Sequence, residues 1–157
     1  MALIEGVNTY AIVTAADIYF DLRLNSDNWT DASNTDKEKA LAVSTRMIET
    51  LVELPGEAVG DLRAMPRHAE YHEPILGKRL KMNPTPVRFI EAFFELAYHI
   101  ISYSDAGVDD GSVNELEISG IKLNGIKGVP DAPSRVYALL LPLQDRPGGG
   151  FHWWRSN

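Results

Sequence analysis

The strongest apolar pattern of the chain begins at Thr85-Pro86, where a capping threonine precedes a proline at the first helical position. From there to about Tyr103, polar residues recur three or four positions apart, and nearly every other position is apolar. This narrow polar stripe consists of Arg88, Glu91, Glu95 and His99. The pattern predicts a central, mostly buried helix whose polar stripe faces solvent or a neighbouring subunit, with Arg88 pairing with Glu91 and Glu95 with His99.

Two helices are predicted before it. Thr14 and Asp17 have the spacing of an N-cap with an acidic N3 residue, which predicts a short helix that ends near Asn25. A polar stretch with Trp29 follows. Thr35 and Glu38 repeat the capping spacing and predict a longer helix, stopped by Pro55-Gly56, whose apolar stripe contains Ala40, Leu41, Ser44, Met47, Ile48, Leu51 and Val52.

The rest of the chain has weaker patterns. Residues 56–83 are irregular and punctuated by prolines, so they predict a loop with one helical turn at most. Short alternating runs predict a β-hairpin near 113–127. Asp131 and Pro133 open a last helix that Pro142 weakens at its end, with Val136, Leu139, Leu140 and Leu143 inward. The predicted fold is therefore mainly α: a small bundle of about four helices over residues 1–145, with one hairpin and an extended C-terminal tail.

The composition of the chain limits its possible functions more than its possible folds. The 157 residues suffice for one globular domain, and the chain has no cysteine, which excludes disulfides and zinc–thiolate sites. The N-terminus predicts no signal peptide, and no apolar stretch is long enough to span a bilayer. The formal net charge is -7, which repels phosphate backbones unless basic residues gather on one face.

The C-terminal residues 146–157 carry the most conspicuous composition. Gly148, Gly149 and Gly150 predict a flexible hinge, and beyond it the sequence reads Phe151, His152, Trp153, Trp154 and Arg155. Large aromatic surfaces left in water cost free energy, so this tail is predicted to dock. Its partner is either another chain or a gap in its own domain.

No motif in the sequence is specific enough to predict an active site. His68 and His72 lie four apart beside Glu70 and Glu73, which on a helix would present two imidazoles to a metal, but flanking prolines favour a solvated loop. Asp109-Asp110-Gly111 with Glu117 has part of the spacing of a calcium loop, yet Ala106 and Val108 occupy ligand positions and exclude it. The sequence predicts a non-enzyme with no cofactor and no metal site.

One family resemblance covers most of the chain. Its short motifs are, in order, Tyr10-x-Ile12, Ala15-Ala16-Asp17-x-Tyr19-Phe20, Trp29, Asp36-Lys37-Glu38-Lys39-Ala40-Leu41, Thr45-Arg46, Met65-Pro66-Arg67 and Ala92-x-x-Glu95-Leu96-Ala97. The order of these motifs, together with the proline-led helix, the hairpin, the last helix and the glycine-rich tail, resembles the small head-tail adaptor, or connector, proteins of tailed bacteriophages. Members of this group are sometimes labelled DnaT-like single-stranded-DNA-binding proteins.

The resemblance implies a structural virion protein without enzymatic activity. About twelve copies would form a ring under the portal protein in the neck, extend the DNA ejection channel and provide a docking platform for a head-completion or tail protein. Packaged double-stranded DNA would pass without specific binding. The subunit would stay in the host cytoplasm until virion assembly. Family members grip the portal or a neighbour with extensions, which assigns that role here to Phe151, His152, Trp153, Trp154 and Arg155, although Phe151–Trp154 matches no family pattern.

The residues themselves are compatible with two other functions. The chain could be a single-stranded-DNA-binding protein of phage replication, in which Trp29, Trp153 and Trp154 stack on bases and Arg146 and Arg155 contact phosphates. The difficulty for that function is the acidic net charge, because Lys78, Arg79 and Lys81 form only one small basic cluster. A metal-dependent enzyme built on His68, His72 and an acidic neighbour is the third alternative.

Overall fold

The computed structural model describes residues 2–104 and 132–144, together with four short strands between them. Five α-helices lie in this part of the chain: α1 (Val13–Asp21), α2 (Asp27–Asp31), α3 (Asn34–Leu51), α4 (Val87–Ser104) and α5 (Ser134–Leu140). A 3-10 helix, Leu141–Leu143, continues α5. The prediction of a mainly α fold with a β-hairpin is confirmed. None of the described helices has the length and apolar character required to cross a membrane.

Helix α4 is the centre of the fold, as its sequence pattern predicts. It packs against α3 on one side and α5 on another, with α2 against it as well. The small side chain of Ser44 lets α3 approach closely, and its hydroxyl donates to the Phe93 carbonyl at 2.8 Å. The aromatic residues of α1, α2 and α4 form one buried cluster in which Phe20, Trp29, Phe93 and Phe94 are central.

The start of α1 differs from the prediction. The helix begins at Val13, and its N-cap is Ile12, which makes no side-chain capping bond. Asp17 does not reach back to a cap because its carboxylate accepts from Trp29 Nε1 at 2.8 Å and from Lys37 Nζ at 3.0 Å. The helix ends at Asp21 rather than near Asn25. A tertiary contact has replaced the local one that the spacing suggests.

The start of α3 is shifted by two residues from the predicted cap at Thr35. Ser33 is the N-cap, and its hydroxyl oxygen accepts from the Asp36 N–H at 3.2 Å. Ser33 and Asp36 have the same spacing as Thr35 and Glu38, and the structure uses the earlier pair. The short helix α2, which holds Trp29 in the core, was not predicted.

Residues 56–83 are the largest error of the sequence-based prediction. They form β1 (Glu57–Ala58), β2 (Arg67–His68), β3 (Glu70–Glu73) and β4 (Lys78–Lys81). Strand β1 pairs antiparallel with β2, and β3 with β4 in a hairpin where Tyr71 faces Leu80. Each strand has only two to four residues, and most of the side chains are polar. The sequence therefore shows no alternation of apolar and polar residues from which these strands could be predicted.

The predicted hairpin and the last helix agree with the structure. Between 112 and 127, the strands β5 (Ser112–Val113) and β8 (Ile126–Lys127) pair antiparallel, and β6 (Leu116–Ile118) pairs with β7 (Ile121–Leu123). In α5 and the 3-10 helix, Val136, Leu140 and Leu143 are fully buried, and Leu139 is partly buried. Pro142 lies in the 3-10 turn, where the α-helix has already ended.

Candidate interaction surface

The described surface carries a groove lined by aliphatic side chains. At the turn between β3 and β4, Ile75 is 83% exposed and Leu76 is also exposed. Val87, the first residue of α4, is 72% exposed beside them. We call this feature the groove; it has a volume of about 380 Å³, and its apolar lining consists of Tyr71, Ile75, Leu76, Leu80, Val87 and Leu139.

The hairpin turn is held in place by backbone geometry and by one ion pair. Gly77 adopts a φ of 61°, a left-handed conformation that favours glycine, and its N–H donates to the Glu73 carbonyl at 2.9 Å. Glu73 accepts from both Arg88 Nε and Arg88 Nη2 at 2.5 Å. These bonds from Arg88 lower the pKa of the Glu73 carboxyl to about 2. The hairpin is therefore fixed against α4, and the groove between them is preformed.

A second apolar feature follows the end of α1. Leu22 and Leu24 are 87% and 88% exposed, and we call this pair the leucine ridge. Arg23 points the other way, with its guanidinium carbon 4.2 Å from the centre of the Tyr98 ring and Nη1 donating to the Asn25 carbonyl at 3.1 Å. Because Arg23 is drawn inward, its two leucine neighbours are turned outward.

A buried carboxylate ties the elements under the leucine ridge together. Glu95, predicted on a solvated stripe, is 3% exposed. One oxygen, Oε1, accepts from the Tyr19 hydroxyl at 2.7 Å and lies 3.1 Å from Arg23 Nε and 3.3 Å from Arg135 Nε. Burial, and then the bond to Glu95, raise the pKa of Tyr19. These contacts join α1, α4 and α5 and fix the leucine ridge to the body of the fold.

The groove and the leucine ridge adjoin one another. A cleft of about 660 Å³ beside the ridge is lined by Tyr19, Arg23 and Arg135, and Glu91 lines both this cleft and the groove. The predicted polar stripe of α4 is thus divided: Arg88 pairs with the hairpin, Glu95 is buried, and Glu91 lies between two apolar features. Exposed aliphatic surface of this kind is typical of contacts between proteins.

The basic cluster predicted from sequence lies on β4. Lys78, Arg79 and Lys81 are exposed there. Each faces a residue of β3 across the hairpin: Lys78 faces Glu73, Arg79 faces His72, and Lys81 faces Glu70. Two of the three positive charges therefore face a carboxylate, which reduces the positive field that a phosphate would meet.

The candidate metal pair does not fit the structure. His68 lies on β2 opposite Glu57, and His72 lies on β3 opposite Arg79, so the two imidazoles are not on one helical face. Among the described residues, no group of three His, Cys, Asp or Glu side chains could hold a metal ion. Residues 109–111 of the rejected calcium loop lie outside the described part.

Trp29 cannot stack on a base. It is 1% exposed, packed on Phe20 with ring centres 4.6 Å apart, and donates to Asp17. The alternative that assigned it to DNA contact is wrong for this residue. The predicted tail residues Arg146, Gly148, Gly149, Gly150, Phe151, His152, Trp153, Trp154 and Arg155 all lie outside the described residues, so their role stays a prediction.

The groove and the ridge were not predicted from sequence. Ile75 and Leu76 stand directly before Gly77, inside a segment assigned to loop. Leu22 and Leu24 stand past the end of a helix assigned to run on to Asn25. The available signal was the placement of large aliphatic residues at turns, where solvent exposure is the rule.

Comparison with known proteins gave a match to one protein family. A family model described as "Putative DnaT-like ssDNA binding protein" matches residues 2–152. Searches of curated proteins and of solved structures found no match. Because the match extends over all the helices and strands described above, the chain belongs to the family of putative DnaT-like ssDNA binding proteins.

Proposed function

We propose that the chain is a structural subunit that associates with copies of itself and with a portal protein, as a head-tail adaptor of a tailed phage. The observation that carries this proposal is the chemistry of the described surface, where large aliphatic side chains are exposed while aromatic ones are buried. Aliphatic surface removed from water on association stabilises a complex between proteins. The placement in a virion rests on the sequence resemblance alone.

The distribution of aromatic side chains supports this function over base stacking. Proteins that bind single strands without sequence preference stack successive bases on exposed rings. Among the residues whose exposure is described, Tyr137, at 37%, is the single aromatic residue classed as exposed. The rings of Phe20, Trp29, Phe89 and Phe93 are almost completely buried. The described surface therefore lacks a row of stacking rings.

The charge supports the same function. A net charge of -7 repels a phosphate backbone at low ionic strength. In a channel subunit this repulsion would be useful, because DNA passing through during ejection would meet no strong phosphate contact that has to be broken. The exposed carboxylate of Glu70, opposite Lys81, acts in the same direction locally.

The experiment is electron microscopy of the purified full chain, alone and mixed with the portal protein of the same phage. We expect rings of this chain or decoration of the portal. A protein that stays monomeric, leaves the portal bare and binds single-stranded DNA would overturn the proposal. The matched control is a chain with Leu22→Ser and Leu24→Ser, which removes the leucine ridge and is expected to form fewer rings.

Binding of single-stranded DNA is the second candidate, and two observations favour it. The family's description names this activity, and β4 presents Lys78, Arg79 and Lys81 to solvent along one strand. A labelled oligonucleotide titrated at several salt concentrations tests it, since phosphate contacts give an affinity that falls steeply with salt. The triple variant K78E/R79E/K81E should abolish such binding, whereas K39E/R46E, on the exposed face of α3, should change it little.

A further inference from the structure

The four most exposed large apolar side chains of the described residues lie on one face. They are Leu24, Leu22, Ile75 and Val87, which are between 72% and 88% exposed. The two leucines form the ridge, and the other two line the groove. Glu91 lines both the groove and the cleft beside the ridge, so the two features belong to one continuous surface. Apolar area concentrated in this way marks a surface that binds a partner.

The ridge is convex, and the groove next to it is concave. The leucine ridge follows the end of α1, whereas the groove is a hollow of about 380 Å³ beside the β3–β4 turn and α4. The Glu73–Arg88 pair fixes the groove, and the contacts of Glu95 fix the ridge, so both shapes are present without a partner. A protrusion beside a hollow of the same aliphatic chemistry is self-complementary. A two-fold axis between them places the ridge of each copy against the groove of the other.

The charges between the ridge and the groove suit the same rotation. Glu91 of α4 makes no hydrogen bond or ion pair within the described part of the chain. The Arg135 side chain is 61% exposed although its Nε lies 3.3 Å from Glu95, and it lines the same cleft as Glu91. The other two arginines of this face, Arg23 and Arg88, are paired within their own chain. A two-fold axis between Glu91 and Arg135 sets opposite charges against each other twice.

We infer that this face binds the same face of a second copy across a two-fold axis. Each leucine ridge lies in the groove of the other copy, and Glu91 of each copy lies opposite Arg135 of the other. The inference rests on the self-association proposed above and names its contact. An isologous contact closes at two copies, so the dimer is the form of the free subunit. Growth of a ring on a portal then requires this contact to open, because the dimer covers the ridge.

The test uses the absence of cysteine from the chain. Tagged full-length L24C is mixed with untagged I75C and treated with a short bismaleimide cross-linker. We expect a cross-linked pair of one tagged and one untagged chain, which cannot arise within one chain because each carries a single thiol. The second ridge–groove contact of this pair stays unmodified. The matched control replaces L24C by V43C, on the exposed face of α3, and should lose the product.

Cross-linking of E91C to itself decides the symmetry. We expect dimers from this single variant, because Glu91 lies beside the axis in both copies. Cross-linking between L24C and I75C without dimers of E91C would show a head-to-tail contact and overturn the two-fold inference.

The reactivity of I75C with a soluble maleimide tests whether the groove is filled by its own chain. At concentrations where the protein is monomeric, we expect I75C to react about as fast as V43C, and more slowly once dimers form. Slow reaction at every concentration would mean that the chain covers its own groove, and the inference would fall.

Sedimentation velocity of the full chain separates this inference from the proposed function. We expect the unmodified chain to dimerise and E91R to weaken dimerisation at least about tenfold, because it sets like charges against each other. E53R, on an exposed residue after α3, should leave dimerisation unchanged, and circular dichroism should show both variants folded. If the unmodified chain associates and neither cross-link forms, self-association stands and this contact is wrong. If it is monomeric at every concentration, both fall.

Discussion

The interior around α4 and the surface beside its first turn use apolar residues in opposite ways. Inside, Phe20, Trp29, Phe93 and Phe94 pack with ring centres about 4.6 to 6.4 Å apart and are almost inaccessible to solvent. Outside, the groove and the leucine ridge present aliphatic side chains to water. The aromatic residues stabilise one fold, and the aliphatic ones remain available to a partner.

This difference bears on function because nucleic acids and proteins are recognised by different surfaces. Bases stack on exposed rings beside positive charge, whereas contacts with proteins cover exposed apolar patches. The described surface is of the second kind, since its most exposed large side chains are aliphatic. Substitutions inside should therefore change stability, and substitutions in the groove or ridge should change association with little effect on stability.

The largest expected effect is in the interior. Phe93→Ala should lower the free energy of unfolding by about 3 to 5 kcal/mol, because it leaves a cavity where a fully buried ring contacted Tyr10 and Phe94. Urea denaturation followed by circular dichroism measures it. Val43→Ala, on the exposed face of α3, is the control. A change below about 1 kcal/mol for Phe93→Ala would show that the interior is not packed as described.

The next largest effect on stability is expected at Glu95, the buried carboxylate. Glu95→Ala should destabilise the fold by about 3 kcal/mol, because it removes the carboxylate that pairs with the partly buried Arg23, while the more exposed Arg135 remains solvated. Glu53→Ala, on an exposed residue after α3, should have little effect. Equal unfolding free energies for the two variants would remove the proposed link between α1, α4 and α5.

A smaller effect concerns the wall of the groove and depends on pH. Glu73→Gln should cost about 1 to 3 kcal/mol at neutral pH, through the loss of charge-assisted bonds to Arg88. The folded pKa of Glu73 is about 2, below its ordinary value of 4.5. The stabilisation is therefore complete above pH 4.5 and is lost as the pH falls towards 2.

The measurement for this pair is the difference in unfolding free energy between the parent and Glu73→Gln at several pH values. That difference should shrink as the pH is lowered from 5 to 2, in line with the pKa values above. Lys39→Ala, which breaks an exposed pair with Asp36, should change stability little, because solvent screens that pair. A pH-independent difference for Glu73→Gln would contradict the ion pair.

The smallest effect on stability is expected at the leucine ridge. Leu22→Ser with Leu24→Ser should change the unfolding free energy by no more than about 0.5 kcal/mol, because both side chains are almost fully exposed. The same variant should self-associate more weakly in sedimentation velocity. Loss of stability by several kcal/mol would place these leucines in the core and remove them from the proposed interface.

The sequence predicted the long helices well and the short elements poorly. Helices α3 and α4, of 18 residues each, have apolar stripes long enough to be recognised even where the position of their ends is ambiguous. Helix α2 is five residues long, and what stabilises Trp29 there is a bond to Asp17 from another helix, which no local pattern contains. Strands β1 to β4 are held by pairing between short polar segments, so their register could not be read from either strand alone.

The candidate site was predictable only in part. The tail was recognised from composition, since glycines followed by aromatic residues stand out without a fold. The groove requires the hairpin, α4 and α5 to meet, and it brings Ile75, Val87 and Leu139 together from separate parts of the chain. For Glu95 the sequence-based prediction was solvent exposure, because the residue belongs to the polar stripe of α4. Its burial is explained by contacts with Tyr19, Arg23 and Arg135, which come from other elements of the fold.

Sedimentation velocity of the full chain with a labelled single-stranded oligonucleotide tests the central claim most directly, because one experiment follows both association and DNA binding. We predict that the protein forms species larger than the monomer as its concentration rises, while the oligonucleotide sediments as free DNA. A protein that remains monomeric at every concentration and carries the oligonucleotide with it, releasing it as salt is added, would contradict the account.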